Sequence, residues 1–296
     1  MNDIIADKIL GCIIGGAIGD CLGAAAEGVQ NPPLISQIDA APWRITDDTQ
    51  LTLATCEAIV ERGTPDPEAI ASSMLRWFLE GRLTGLGSGT LKALRDLDAG
   101  AHWALCGQRG ERAAGNGAAM RIAPLVFCLD LSKIESKQTI RDVSRITHHH
   151  DEAYVGSLAI VMSLSAIINE TWSFDWLISC LPDSTVRDRI VAYAALPVET
   201  PLATAAKSFG VSGYVAESVP FAIFAATRAE EIDFAQILKD VIGAGGDTDT
   251  NAAITGQLLG AKLGLQNLPR DYVQTISRIP SILTIAKQFA TTVNRS

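Results

Sequence analysis

The amino-acid sequence predicts an all-α fold, a single compact multi-helix domain spanning residues 1–296, and three observations carry that prediction. Apolar residues recur at three- and four-residue spacing from Ile4, Leu51, Ala69, Tyr154, Val215 and Ile254, the period of one helix face. Alternating β-branched stretches, the mark of half-buried strands, are almost absent. No low-complexity linker, charge block or fixed-period repeat divides the chain, and 296 residues with 48% hydrophobic content suffice for one large core.

The first predicted helix, from Ile4, carries Gly11, Gly15, Gly19 and Gly23 four residues apart, which places four positions without side chains along one ridge. Glycine costs roughly 1 kcal/mol against alanine inside a helix, so the ridge implies close packing against another backbone. Asp20 and Glu27, seven residues apart, are expected on one face of this helix, within reach of a common polar site.

The second predicted helix opens on Thr46-Asp47-Asp48-Thr49-Gln50, with Thr46 as its N-cap and two acids placed to meet the helix macrodipole. Asp66 followed by Pro67 starts the third, and Gly81 stops it. Pro182-Asp183-Ser184 and Gly210-Val211-Ser212-Gly213 mark later boundaries. Near the C-terminus, the glycine-rich run Val241 to Gly246 leads into Asp247-Thr248-Asp249-Thr250-Asn251, after which helical periodicity resumes to Leu263.

The two acidic pentads lie about two hundred positions apart, each at a helix start. Capping explains either alone. Together they offer carboxylates and threonine hydroxyls, the hard oxygen donors that Mg2+ or Mn2+ prefers, and carboxylates gathered in one place repel unless cations neutralise them. The second pentad begins like an EF-hand loop, but Ala252 replaces the glycine at position six and Leu258 the glutamate at position twelve. It also resembles an aspartyl phosphatase motif, without the early strand that motif follows.

Two glycine loops add backbone N–H groups suited to phosphate, Gly87-Ser88-Gly89-Thr90 and Gly115-Asn116-Gly117-Ala118-Ala119-Met120-Arg121, the latter before an expected helix start. Thr147-His148-His149-His150-Asp151 holds three of the four histidines. On a helix consecutive histidines point around the axis and cannot share one zinc ion, so one histidine facing a cleft is the expectation.

A net charge of −9 without a Lys/Arg run argues against a nucleic-acid partner. Asp7, Lys8 and Asp20 interrupt the apolar N-terminal stretch, and its longest uncharged run, Ile9 to Gly19, is too short to span a bilayer, so no membrane partner is expected. Cys12, Cys21, Cys56, Cys106, Cys128 and Cys180 lack paired spacing and read as buried thiols of a cytoplasmic protein.

Five ordered segments, Gly19 to Gly28, Ile45 to Gln50, Gly115 to Leu125, Thr147 to His149 and Gly243 to Ala261, together resemble the ADP-ribosylglycohydrolase family over nearly the whole chain. The softer match Gly213 to Pro220 joins them. The resemblance implies an all-α fold with two divalent metal ions, Mg2+ or Mn2+, at the base of a cleft for ADP-ribose. By position it implies Thr46, Asp47 and Asp48 as ligands of one metal, Asp247 and Thr250 of the other, and Asp249 as the bridge. Glu27 and Asp48 become the candidate catalytic acid or base, and Gly87, Ser88, Gly89, Gly115, Asn116, Gly117 and His148 the substrate contacts. The implied reaction is hydrolysis of the N- or O-glycosidic bond between ADP-ribose and an acceptor, with an ADP-ribosylated protein or small molecule as partner and ADP-ribose as product. Ala24-Ala25-Ala26 and Ala113 depart from stretches that some relatives carry, which bears on the acceptor rather than on the metals. Two other readings stand beside this one: a non-catalytic ADP-ribose-binding or structural protein, and a metal-dependent phosphohydrolase of a nucleotide or sugar phosphate. Released product separates them.

Overall fold

A computed structural model describes residues 3–28 and 43–294. Its helices run in chain order as α1 (Asp3–Ala24), α2 (Asp47–Arg62), α3 (Pro67–Leu79), α4 (Ser88–Asp98) and α5 (Ile134–Arg145). Next come α6 (Asp151–Ile168), α7 (Phe174–Cys180), α8 (Thr185–Ala194), α9 (Leu202–Phe209) and α10 (Val215–Ala226). The last four are α11 (Phe234–Gly243), α12 (Thr248–Leu263), α13 (Arg270–Thr275) and α14 (Ile279–Val293). The expected all-α class is observed, and every helix predicted from periodicity is present.

The fold is organised around α1 and α12, which pack antiparallel. Ile9, Ile14, Ile18 and Leu22 of α1 are buried together with Ile254, Leu258 and Leu259 of α12, and both helices are buried around most of their circumference and form the centre of the core. The glycine ridge explains the intimacy of the pair. A Cβ on Gly11 would run into the Gly260 carbonyl, one on Gly15 into Gly256, one on Gly19 into Ala252 and one on Gly23 into Thr248. Backbone lies against backbone, and Thr248 Oγ1 donates to the Gly23 carbonyl at 2.8 Å. This packing sets the C-terminal end of α1 beside the N-terminal end of α12, more than two hundred positions away in sequence.

Helix α6 completes the core. It is long and apolar enough to cross a membrane by length and composition, yet 72% of it is buried inside the fold. Local punctuation holds: Asp66 accepts the Ala69 N–H with Pro67 at the first turn of α3, and Ser184 caps α8. The only ladder among the described residues is a two-residue parallel pair, β1 (Gln108–Arg109) with β2 (His148–His149).

Three expectations change. The histidines are not on a helix: His148 and His149 form β2, and the His150 ring accepts the Glu152 N–H as N-cap of α6. Residues 119–121 form a 3-10 turn, not the start of an α-helix, because the chain there follows Asn116 into the site, the Met120 N–H reaching the Asn116 carbonyl at 3.1 Å. Cys128 and Cys180 are only half-buried, whereas the other four cysteines are buried, and all six are free thiols.

Candidate functional site

At the start of α2 the capping differs from the sequence expectation. Thr46 is the N-cap, but its hydroxyl does not bond the helix. It donates instead to Asp20 Oδ1 at 2.6 Å, while the Thr46 N–H donates to Asp20 Oδ2 at 2.9 Å. The Thr49 hydroxyl and N–H reach the same Oδ2 at 2.5 and 3.2 Å. Asp20, fully buried on α1, thus caps α2 from another helix. Because the Thr46 hydroxyl gives its proton to Asp20, its lone pairs stay free to face Asp47 and Asp48.

Asp48 is 1% exposed, its Oδ1 has no hydrogen-bond partner, and its Oδ2 accepts from Thr250 Oγ1 at 3.3 Å. That contact joins the two pentads. Asp47 is held by the neighbouring loop, where the Gly87 N–H bonds its carboxylate, and Gly85, at φ 80°, lies against Asp47 Oδ1 and Thr46 Cβ. In the second pentad Asp249 is buried and accepts the Thr250 N–H at 2.8 Å. Asp247, half-buried, accepts from Asn116 Nδ2 at 2.8 Å and faces the Cα of Gly213. The Asp247 N–H and Asn251 Nδ2 both end on the Val211 carbonyl, which anchors the N-terminus of α12.

The electrostatics follow from this crowding. Burial, then the charge of Asp20, pushes Asp47 up to about 8. Burial, a carboxyl–carboxyl hydrogen bond with Asp247 and its charge push Asp249 up to about 9. Asp48, desolvated and facing Asp20, Asp47, Asp249 and Asp247, lies well above the ordinary carboxylate range. Five carboxylates in mutual range ionise together only when positive charge is brought among them.

A buried orphan carboxylate oxygen, two acids sharing a hydrogen bond, and the Thr46 hydroxyl, whose proton goes to Asp20, form an oxygen-donor set that fits hard divalent cations. Among the described residues no three His, Cys, Asp or Glu side chains close on one point by themselves. An ion here would therefore draw on the threonine hydroxyls as well.

Glu27 is placed differently from its sequence expectation. Helix α1 ends at Ala24, so Glu27 lies in the exposed turn beyond it rather than two turns from Asp20 on one face. It stays close enough to raise Asp249. His148 is buried and neutral, lowered to about 3 by desolvation and by Arg121, with Nδ1 2.8 Å from Thr147 Oγ1. Its ring sits among the Cα atoms of Gly89, Gly115 and Gly117, where any Cβ would press on the imidazole. Three glycines expected at substrate are thus drawn together with His148 into one wall. Ser88 is the exposed first residue of α4 and Gly87 its N-cap, with no side chain closing the first turn. Its free N–H groups point to where an anion would bind.

Gly213, a boundary residue in the sequence, lies against Asp247. Asp20, expected with Glu27 within reach of a common polar site, lies at the first pentad, but nothing local marks it as the cap of a helix 26 residues downstream.

A sequence profile described as ADP-ribosylglycohydrolase matches residues 1–296. An uncharacterised protein of Archaeoglobus fulgidus is 30% identical over 86% of this chain and 88% of its own length. An ADP-ribosylarginine hydrolase of Pseudomonas putida is 26% identical over 95% of this chain and 77% of its length. The ADP-ribosyl-[dinitrogen reductase] glycohydrolase of Rhodospirillum rubrum is 24% identical over 92% and 91%. Among solved structures, an ADP-ribosylglycohydrolase-related protein complex aligns with a TM-score of 0.71 at 25% identity, covering 98% of this chain and 99% of that one.

Proposed function

Since the chain belongs to the ADP-ribosylglycohydrolase family, we propose that it hydrolyses the glycosidic bond between ADP-ribose and a modified side chain or small molecule, with two divalent cations at the carboxylate cluster. The observation that carries this reading is the Thr250–Asp48 contact, which unites two acidic helix starts in one buried, proton-hungry oxygen cage.

In this reading Thr46, Asp47 and Asp48 would hold one Mg2+ or Mn2+, Asp247 and Thr250 would hold the other, and Asp249 would serve both. When bound, the ions supply Lewis acidity toward the ribose hydroxyls and acidify water. The protein's own groups do the rest. The first-turn N–H groups of Ser88 and Gly89 take the diphosphate, with Gly87, whose own N–H holds Asp47, leaving room for its approach, and Asn116, fixed on Asp247, orients the ribose. Neutral His148 and its glycine wall shape the cleft without adding charge. Buried Asp48 is held as a ligand, whereas Glu27, solvent-facing beside Asp249, is free to exchange protons with water and so carries the acid or base role.

The acceptor is an ADP-ribosylated protein or small molecule, and a cytoplasmic setting belongs to the same proposal, in keeping with six free thiols. The test is release of free ADP-ribose from arginine- and serine-linked substrates with Mg2+ or Mn2+, against the same protein with chelator. Metal-dependent release is expected. No release from any substrate would overturn the reading, and release of inorganic phosphate from a nucleotide or sugar phosphate instead would replace it with the phosphohydrolase.

A further inference from the structure

Apart from the carboxylate cluster, a cavity of about 580 Å³ lies where the chain entering α2 meets the start of α14. Arg44, Arg82 and Arg278 line it, and among the described residues no Asp or Glu does. In a chain of net charge −9 this is an anomalous concentration of positive charge.

The backbone builds it. Trp43 and Ile276 form an isolated parallel bridge, with the Ser277 N–H donating to the Trp43 carbonyl at 2.7 Å. That pairing brings Arg44 and Arg278, both exposed, to one rim of the cavity from opposite ends of the sequence. Arg278 takes the left-handed conformation, φ 61° and ψ 24°, which side-chain-bearing residues rarely adopt. Among the described residues neither the Arg44 nor the Arg278 guanidinium has an ion pair or hydrogen bond. Arg82 is fixed differently, 3.4 Å over the Trp77 ring and within 3.3 Å of Glu80 and 3.7 Å of Glu57.

We propose that this cavity is a binding site for a phosphate-bearing small molecule, separate from the carboxylate cluster. Guanidinium forks match phosphate oxygens, and two like-charged side chains lining one cavity are relieved by an anion. The Ser277 and Ser281 hydroxyls at the wall add donors, and Leu53 and Ile282 give an apolar floor for an uncharged portion. The volume is that of a small-ligand pocket. One loop forms a wall of both sites: Arg82 and Thr84 face the cavity, whereas Gly85 and Gly87 touch Thr46 and Asp47. Gln50 clamps that loop, its carboxamide bonding the Thr84 N–H at 2.8 Å and hydroxyl at 2.9 Å. An occupant of the cavity thus rests on a loop that also borders the metal-binding pentad.

The experiment is calorimetric titration of inorganic pyrophosphate into metal-free protein, comparing the wild type with Arg44→Gln/Arg278→Gly. Glycine suits the left-handed position, so the double variant keeps its fold, which its melting curve checks. Expected is saturable binding with Kd below about 1 mM, weakened at least about tenfold in the double variant, consistent with loss of charge-assisted contacts. No saturable binding by the wild type, or equal binding by the double variant, would overturn the proposal. The readout needs no turnover, so its outcome is independent of the hydrolase reading.

Discussion

The two acidic helix starts look alike in sequence and are built in opposite ways. At the start of α2 a buried anion, Asp20, takes the helix N–H groups and the Thr46 and Thr49 hydroxyls, so the pentad is fastened from behind by charge. At the start of α12 the fastening is neutral: the Val211 and Gly23 carbonyls and the Asn116 carboxamide hold the pentad. The contrast explains why burial and then Asp20 dominate the raised pKa of Asp47, whereas burial and its neighbour Asp247 dominate that of Asp249. One half of the cage adds a negative charge that binds no ion directly. The other adds only that of the exposed Glu27.

The largest expected effect comes from removing the proposed bridge. Asp249→Ala should lower turnover on the order of 10³-fold or more, with the far-ultraviolet circular dichroism unchanged. Near-normal turnover would mean that the α12 half does not take part.

Asp20→Ala strips the charged cap from α2 and leaves buried donors unpaired. It should cost about 3 kcal/mol of stability by denaturant unfolding. The contrast between the two halves would collapse if Asp20→Ala cost no more than Asn116→Ala.

A pH series sharpens the comparison further. Asp47 at about 8 and Asp249 at about 9 lie above their unfolded value of 3.8, so the native state holds more protons in between. Their contribution to metal-free stability is complete below about pH 4 and is lost as pH rises toward about 9. Thermal melts of metal-free protein should therefore fall across that window, and saturating Mg2+ should remove most of the fall. A metal-free melting temperature that rises from pH 5 to 9 would contradict the crowding.

The smallest effect is expected at the neutral fastening, where Asn116→Ala removes one hydrogen bond to Asp247 and should cost about 1 kcal/mol of stability.

Much of the fold was legible because its signals are local. Helix periods, the Asp66-Pro67 start and the Ser184 cap depend on residues a few positions apart. The glycine ridge told that α1 needs a close partner, but not that the partner is α12, since any small-residue helix satisfies the pattern. The pentads announced an oxygen-rich site, whereas Asp20 as cap depends on tertiary packing that nothing near Thr46 encodes. Glu27 was misplaced because Ala24-Ala25-Ala26 are good helix formers and prolong the pattern. A turn closed by the Ala26 N–H on Gly23 and left-handed Gly28 end the helix instead. The histidine run misled similarly, since pairing with Gln108–Arg109 lies 40 residues away.

That the two pentads are halves of one metal site is tested most directly by electron paramagnetic resonance of the Mn2+-loaded protein. Ions about 3.5–4 Å apart should give the spectrum of an exchange-coupled pair, replaced in Asp249→Ala by the six-line signal of isolated Mn2+. A wild-type spectrum showing only isolated ions, or no bound Mn2+, would contradict the account.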